Sequence, residues 1–322
     1  MAFDSAFDSI VGQIQAIALL KAAIKYDRIA PAYLFTGANG IGRSLTALAF
    51  AQTLIQNTGL HAASNAHKSS QRVSDRNHPD VLWVEPTYLD KGKMLTAKEA
   101  EEAGLKRRAS PQVRLEQIRD ITDFLSHAPL ESKRSVVIVQ EAQTMAEAAA
   151  NGLLKTLEEP GRATIILIVP DASAILPTLV SRCQRIPFYR LDRASLLEVL
   201  SRVGYAEIPE QIVALAQGSP GEAIAAYEQF QAIPPQILAT TESLPPDAKT
   251  AMAIAKQITK DLDVESQLWL IDYLQNHYWR SQGRSQVVKS LEEAKHLLAG
   301  YVQPRLVWEV TLLQMAGKLQ GI

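Results

Sequence analysis

Between residues 35 and 44 the chain reads FTGANGIGRS. Gly37, Gly42 and Ser44 stand at the spacing of a phosphate loop, Gly-x-x-x-x-Gly-Lys-Ser/Thr. In such a loop, backbone N–H groups and a helix N-terminus cradle an anion. The lysine reaches the terminal phosphates, and the Ser/Thr hydroxyl holds magnesium. Arg43 stands where that lysine belongs. It keeps the charge, but a planar guanidinium is larger and prefers bidentate geometry, so it is not an equivalent replacement. The plainer alternative is a glycine turn that only packs a strand against a helix.

A second stretch, RSVVIVQEA, ends its apolar run at Gln140-Glu141. A nucleotide hydrolase of this type ends the corresponding strand in Asp-Glu, where Asp orients magnesium and Glu activates water. Gln140 puts a neutral amide in place of the metal-organising carboxylate, while Glu141 stays at the position of the base. For Glu141 the plainer alternative is a solvated acid at a strand end. Arg43 and Gln140 alter two separate parts of one machine, which predicts that hydrolysis is lost while the fold is kept.

The bulk properties narrow the setting. A chain of 322 residues predicts two or three domains. With 47% apolar and 21% charged residues it has the composition of a soluble globular protein. A net charge of −1 gives no global field toward nucleic acid, so any DNA contact needs a local patch or a partner. Cys183 is the one cysteine, which excludes an internal disulfide and a four-cysteine zinc site. MAFDSAFDSI has no leader character, and no stretch approaches a membrane span. The expected location is the cytoplasm, with no membrane contact.

Elements must then position those residues. Ile14, Ile17, Leu20 and Ile24 fall at helical spacing. AYLFTG reads as a buried strand and GRSLTALAFAQTLIQ as the helix after the loop. Residues 57 to 78 are polar and unpatterned, which predicts a loop. DVLWVEP is a second strand, and residues 89 to 110 form a charged insertion with KEAEEAGLKRR as a surface helix. Val113, Ile118, Ile121 and Leu125 share a helical face. Val136 to Val139 is a third strand and ATIILIVP a fourth. Between them lies a helix with Thr144 and Glu147 as a capping box and Pro160 as its stop. Strands alternating with helices predict a parallel α/β sheet. After about residue 190 the strands stop. Residues 194 to 230 read as short helices broken by Pro209 and GSPG, and IPPQ and LPPD bracket a linker. From about 247 the chain reads as all helix, with Leu268, Ile271 and Tyr278 on one face and Leu306, Val310 and Leu313 on another.

IVGQ, AYLFTGANGIGRS, VVIVQEAQTMAEAAANGLLKTLEEPG and LPTLVSRCQRIPF stand in the order and spacing of clamp-loader subunits of the AAA+ superfamily. LLKTLEEP and SRC are the specific pieces. The resemblance covers roughly residues 8 to 225 well, and the C-terminal third only by its helical character. It implies an α/β parallel-sheet AAA+ domain with a degenerate phosphate loop over 1–190. A small helical lid domain follows over 191–235, then an all-helical collar over 245–322. It also implies that Arg182 of SRC points out of its own subunit as an arginine finger on ATP held by a neighbour, flanked by Ser181 and Cys183. The plainer alternative for Arg182 is a surface salt bridge after a strand, and for Cys183 simple packing. Gly37, Gly42, Arg43, Ser44, Gln140 and Glu141 would form the degenerate ATP site. No cofactor is expected, with ATP and magnesium as the alternative.

Two further family positions depart. Val169-Pro170 precede Asp171 where a small polar sensor residue belongs, and GSPGEAI offers Glu222 where the ATPases carry an arginine. Relatives also carry a cysteine zinc module. His61, His67 and His78 lack ligand spacing, so they read as loop residues and no metal is expected. Lys106-Arg107-Arg108 beside Glu101 and Glu102 reads as a solvated helix rather than a DNA contact. Trp269, Tyr273, Tyr278 and Trp279 read as helix-packing residues, some of them at subunit interfaces. The implied partners are the clamp-loader ATPase subunits gamma and tau and the delta subunit, with the sliding clamp and primed DNA reached through the assembly. The implied role is a non-hydrolysing ring member. Its rivals are a slow ATPase using Arg43 and Glu141, and an AAA+ scaffold outside replication.

Overall fold

Val136–Val139 and Ile165–Val169 are apolar at every position, so both faces of those strands must be covered. In the computed structural model, which describes residues 5–56, 66–105, 110–159 and 161–317, they lie inside a five-stranded parallel sheet. Its strands are β1 (Ala32–Thr36), β2 (Val81–Val84), β5 (Ser135–Val139), β6 (Ala163–Val169) and β7 (Gln184–Pro187), in the order β2-β5-β6-β1-β7. A two-stranded antiparallel hairpin, β3 (Tyr88–Asp90) and β4 (Lys93–Leu95), stands apart from it.

The period-2 alternation of strands sorts the side chains. Tyr33, Phe35, Val136, Ile138, Ile166 and Ile168 face one way and pack with Leu20 of α1 (Ile14–Lys25) and Phe50 and Leu54 of α2 (Arg43–Gln56). Leu34, Val137, Val139, Ile165 and Leu167 face the other way. There they meet Ile118 and Ile121 of α5 (Leu115–Ser126) and Leu153 and Leu157 of α6 (Glu147–Glu158). Each such buried side chain contributes about 1.5–3 kcal/mol of transfer free energy. The unit is completed by α3 (Ala66–Ser74), α4 (Ala97–Glu102), α7 (Pro177–Val180) and α8 (Arg193–Arg202).

Contacts divide the chain into two compact units, the first ending at Val203 but including Gly218–Gly221. The second takes in Gly204–Gln217 and the chain from Glu222 onward. Its helices are α9 (Glu210–Leu215), most of α10 (Pro220–Ala232), α11 (Pro235–Thr241), α12 (Ala248–Asp261), α13 (Val264–Gln282), α14 (Ser285–Ala299) and α15 (Pro304–Met315). They share one core in which Ile212, Ile233, Ile254, Leu274, Tyr278, Leu291 and Trp308 are buried. Side-chain caps start two of them: Asp247 accepts from Thr250 N–H at 2.7 Å and Asp263 from Ser266 N–H at 2.8 Å. Among the described residues no helix is long and apolar enough to cross a membrane.

Several local expectations need correction. Residues 66–74 are helical rather than a loop, held to α2 by Gln52, whose amide donates to Ser74 Oγ at 2.8 Å. The insertion after residue 88 opens as the β3–β4 hairpin, and its helix is short, with a capping box between Thr96 and Glu99. The fifth strand, β7, is not legible as one, because QRIP buries only Ile186 while Gln184 and Arg185 stay exposed at the sheet edge. Thr144 does not cap α6. Its hydroxyl donates to the Glu141 carbonyl at 2.8 Å, and the helix begins at Glu147 with no side-chain cap. In α15 the buried stripe is Val307, Trp308, Thr311 and Leu312, while Leu306 and Val310 are exposed. Both stripes are apolar, and the indole decides between them: Trp308 Nε1 donates to buried Gln267 Oε1 at 3.0 Å. His61, Lys106-Arg107-Arg108 and Pro160 lie outside the described residues.

Candidate functional site

The loop after β1 is shaped from several sides. Gly37 donates its N–H toward the carbonyls of Val169 at 3.3 Å and Pro170 at 3.1 Å. A Cβ there would stand 2.6 Å from the Phe188 carbonyl oxygen and 2.8 Å from Ile41 Cδ1, so only glycine fits. The Gln13 amide, buried, donates to the carbonyls of Ile41 at 3.0 Å and Tyr189 at 2.8 Å, and its oxygen accepts from Tyr189 N–H at 3.2 Å. Ser219 Oγ donates to the Asn39 carbonyl at 2.8 Å and Gly221 N–H to the Gly40 carbonyl at 2.9 Å. Neither IVGQ nor GSPG announces these bonds in the sequence. The one local signal is their small and amide residues, which suit close backbone approach.

Gly42, Arg43, Ser44, Gln140 and Glu141 come together around one pocket of about 340 Å³, with Asn39 and Ile168 also in its wall. Gly37 shapes the loop without lining the pocket. Arg43 opens α2 and is only 7% exposed. Its Nη2 donates to Asn39 Oδ1 at 2.6 Å, and its Nη1 is buried with no partner among the described residues. Burial pushes the guanidinium's pKa down, and the nearby Glu141 charge opposes that shift. Glu141 sits in the left-handed region at φ 48°, and Gln140 keeps a buried Oε1 with no partner among the described residues.

This donor set departs from that of a magnesium-nucleotide loop at Arg43 and Gln140. The cation that would grip terminal phosphates is turned back onto the loop's own Asn39. The group that would organise magnesium is an amide, which leaves the Ser44 hydroxyl and Glu141 as the hard oxygen donors in the pocket wall. Among the described residues no group of three His, Cys, Asp or Glu side chains could hold a metal ion. His78 lies in the loop before β2 as expected, but it is buried there: its ring stands 3.0 Å from Ser69 Oγ through Nε2 and accepts from Asp80 N–H at 3.1 Å through Nδ1.

Arg182 lies outside that pocket, where the chain leaves α7 for β7. Ser181 ends the helix, its Oγ donating to the Thr178 carbonyl at 3.0 Å. Arg182 Nη1 donates to the same carbonyl at 3.0 Å, and Nη2 pairs with Glu158 Oε1 of the LEEP segment at 2.7 Å. Its side chain is still 37% exposed and that of Glu158 54%. Cys183 packs against the core beneath β6, and burial pushes its thiol up to about 12, so it is no nucleophile. Asp171 is occupied as the cap of a single turn, accepting from Ser173 N–H at 2.8 Å and Oγ at 2.6 Å.

A five-stranded parallel sheet with a glycine loop between β1 and α2, followed by an all-helical unit, defines an AAA+-type fold. Residues 12–192 match the family described as DNA polymerase III, delta subunit, and residues 194–315 match the cyanobacterial DNA polymerase III delta prime, C-terminal domain. The chain belongs to the DNA polymerase III delta-subunit family. It is similar to DNA polymerase III subunit delta′ of Pseudomonas aeruginosa, 34% identical over 196 residues, which is 59% of this chain and 54% of that one. With subunit delta′ of Bacillus subtilis it shares 31% over 181 residues, 56% and 48% of the two chains. The chain thus spans about half the length of these curated relatives. A solved DNA polymerase III gamma subunit-related protein from Thermotoga maritima superposes with a TM-score of 0.54, covering 94% of this chain and 99% of that one. At 18% identity that likeness speaks for the fold alone.

Proposed function

We propose that this chain is a delta-prime-type, non-hydrolysing subunit of the DNA polymerase III clamp loader. On this reading it reaches ATP held by a neighbouring ATPase subunit through Arg182. The observation that carries the reading is the composition of the loop pocket, where Arg43 is bonded to Asn39 and Gln140 offers an amide to any metal. Membership of the family supports the assembly: gamma or tau and delta subunits as neighbours, with the sliding clamp and primed DNA as what the assembly handles, in the cytoplasm.

Arg182 suits action in trans. Its guanidinium is always charged and can stabilise the charge that spreads over a transferring phosphoryl group. Its resting partner Glu158 is more than half exposed, and such surface pairs are worth about 0–1 kcal/mol, so leaving Glu158 for a neighbour's phosphate costs little. In a loader reassembled from gamma or tau, delta and this chain, Arg182→Ala should lower ATP turnover about tenfold or more while this chain melts at an unchanged temperature. Unchanged turnover in a correctly assembled loader would exclude the role given to Arg182.

Arg43 Nη1, without a partner among the described residues, and Glu141 facing the same pocket favour a second reading, a slow ATPase in its own right. Turnover by the isolated chain that disappears in Glu141→Gln would establish it.

A further inference from the structure

The helical unit holds a groove of about 660 Å³. Trp269, Asp272, Asn276 and Trp279 of α13 line it. They recur at three- and four-residue steps, so they share one helical face, while Leu270, Ile271, Leu274 and Tyr278 of the same helix are buried in the core. Trp269 is stacked on Tyr273 with ring centroids 5.5 Å apart, which holds it in place, and Trp279 is 61% exposed. The ten residue steps from one indole to the other span about 15 Å, close to three helical turns. From α14 come Val288 and Glu292, one turn apart, and from α10 come Glu222 and a pair of alanines that leave room for a close neighbour.

The charge of the groove has one sign. Glu222, Asp272 and Glu292 line it, and among the described residues no Lys or Arg does. Lys295 engages Asp272 at 2.5 Å from outside the lining. Glu292 accepts from Gln275 at 2.7 Å, with the His296 ring 3.4 Å away. Glu292, whose hydrogen-bond donor is a neutral amide, leaves negative charge on an apolar, tryptophan-bearing trough. Such a trough repels nucleic acid and anionic lipid and favours a cationic partner.

We propose that this groove docks a basic amphipathic α-helix of a partner protein. About three turns of that helix lie along α13 with their apolar face on Trp269, Trp279 and Val288, and flanking Lys or Arg side chains meet Asp272 and Glu292. Helix-in-groove recognition places apolar anchors at i, i+3, i+4 and i+7, and exposed tryptophans are the residues that most often dominate such contacts. The inference stands independently of the reading given to Arg182 and the loop.

The test uses the full chain and two fluorescent synthetic helices of about four turns, one built from Leu and Lys and one from Leu and Glu. Anisotropy should show saturable binding of the Lys helix, weakening with salt, and at least about tenfold weaker binding of the Glu helix. Trp279→Ala should weaken the Lys helix about tenfold at an unchanged melting temperature. Glu292→Lys should move preference toward the Glu helix. Equal binding of both helices, or binding that neither substitution alters, would overturn the proposal. So would self-association of the chain that the Lys helix competes away, since a second copy would then be the occupant.

Discussion

Arg43 is bonded through Nη2 to Asn39 and faced by Glu141, and on the proposed reading its charge supports the loop rather than a ligand. Arg43→Ala should therefore cost stability, roughly 1–3 kcal/mol in chemical unfolding, by removing a nearly buried side chain from the packing of the loop. No loss on truncation would mean that the guanidinium is not part of the folded loop's support. Cys183 gives a second residue-scale expectation. With its thiol pushed up to about 12 by burial, it should be nearly inert to alkylation at neutral pH in the native chain and react rapidly once the chain is unfolded. Equal rates in both states would contradict the packing described. The motif positions Gly37, Gly42, Ser44, Gln140 and Glu141 were legible in the sequence because a loop and a strand end are local patterns. The direction taken by Arg43 was not, since it depends on its bond to Asn39. Nor was the role of Gln13, whose bonds reach residues 28 and 176 positions away.

At the scale of elements, two joints carry predictions. Asp80, just before β2, is buried and accepts from the N–H groups of Leu130, Glu131 and Ser132 at 2.6, 2.9 and 2.7 Å and from Ser132 Oγ at 2.8 Å. Burial alone would raise its pKa, but these bonds outweigh it and hold the carboxyl below the ordinary 3.8. Its stabilisation is therefore whole above that value and lost as pH falls through the lower folded-state one. Asp80→Ala should cost roughly 2–4 kcal/mol at neutral pH, and the difference from the parent chain should shrink in acid. A difference that grows in acid would reverse the sign. At the other joint, Gly37→Ala should destabilise by roughly 1–3 kcal/mol or more, because its Cβ meets the Phe188 carbonyl. Unchanged unfolding would show that the strand-to-loop turn can give. Apolar runs made β1, β2, β5 and β6 readable, and periodicity the amphipathic helices. It could not choose between two apolar stripes in α15, where the hydrogen bond of Trp308 to Gln267 decides, nor find the short edge strand β7.

Across the whole molecule, order along the chain carried the fold class: strands alternating with helices, then helices alone. The way the second unit gathers residues 204–217 and 222–317 around one core was not legible, because it rests on packing between helices far apart in sequence. The central claim is that the loop pocket serves the fold and not a nucleotide, leaving the chain's contribution to its surfaces and to Arg182. Calorimetric titration of the purified chain with ATP and magnesium tests this most directly. The account predicts no heat of binding at high micromolar protein and no ATP-dependent rise in melting temperature. Saturable binding with a matching rise in melting temperature would contradict it and make Arg43 a working phosphate ligand.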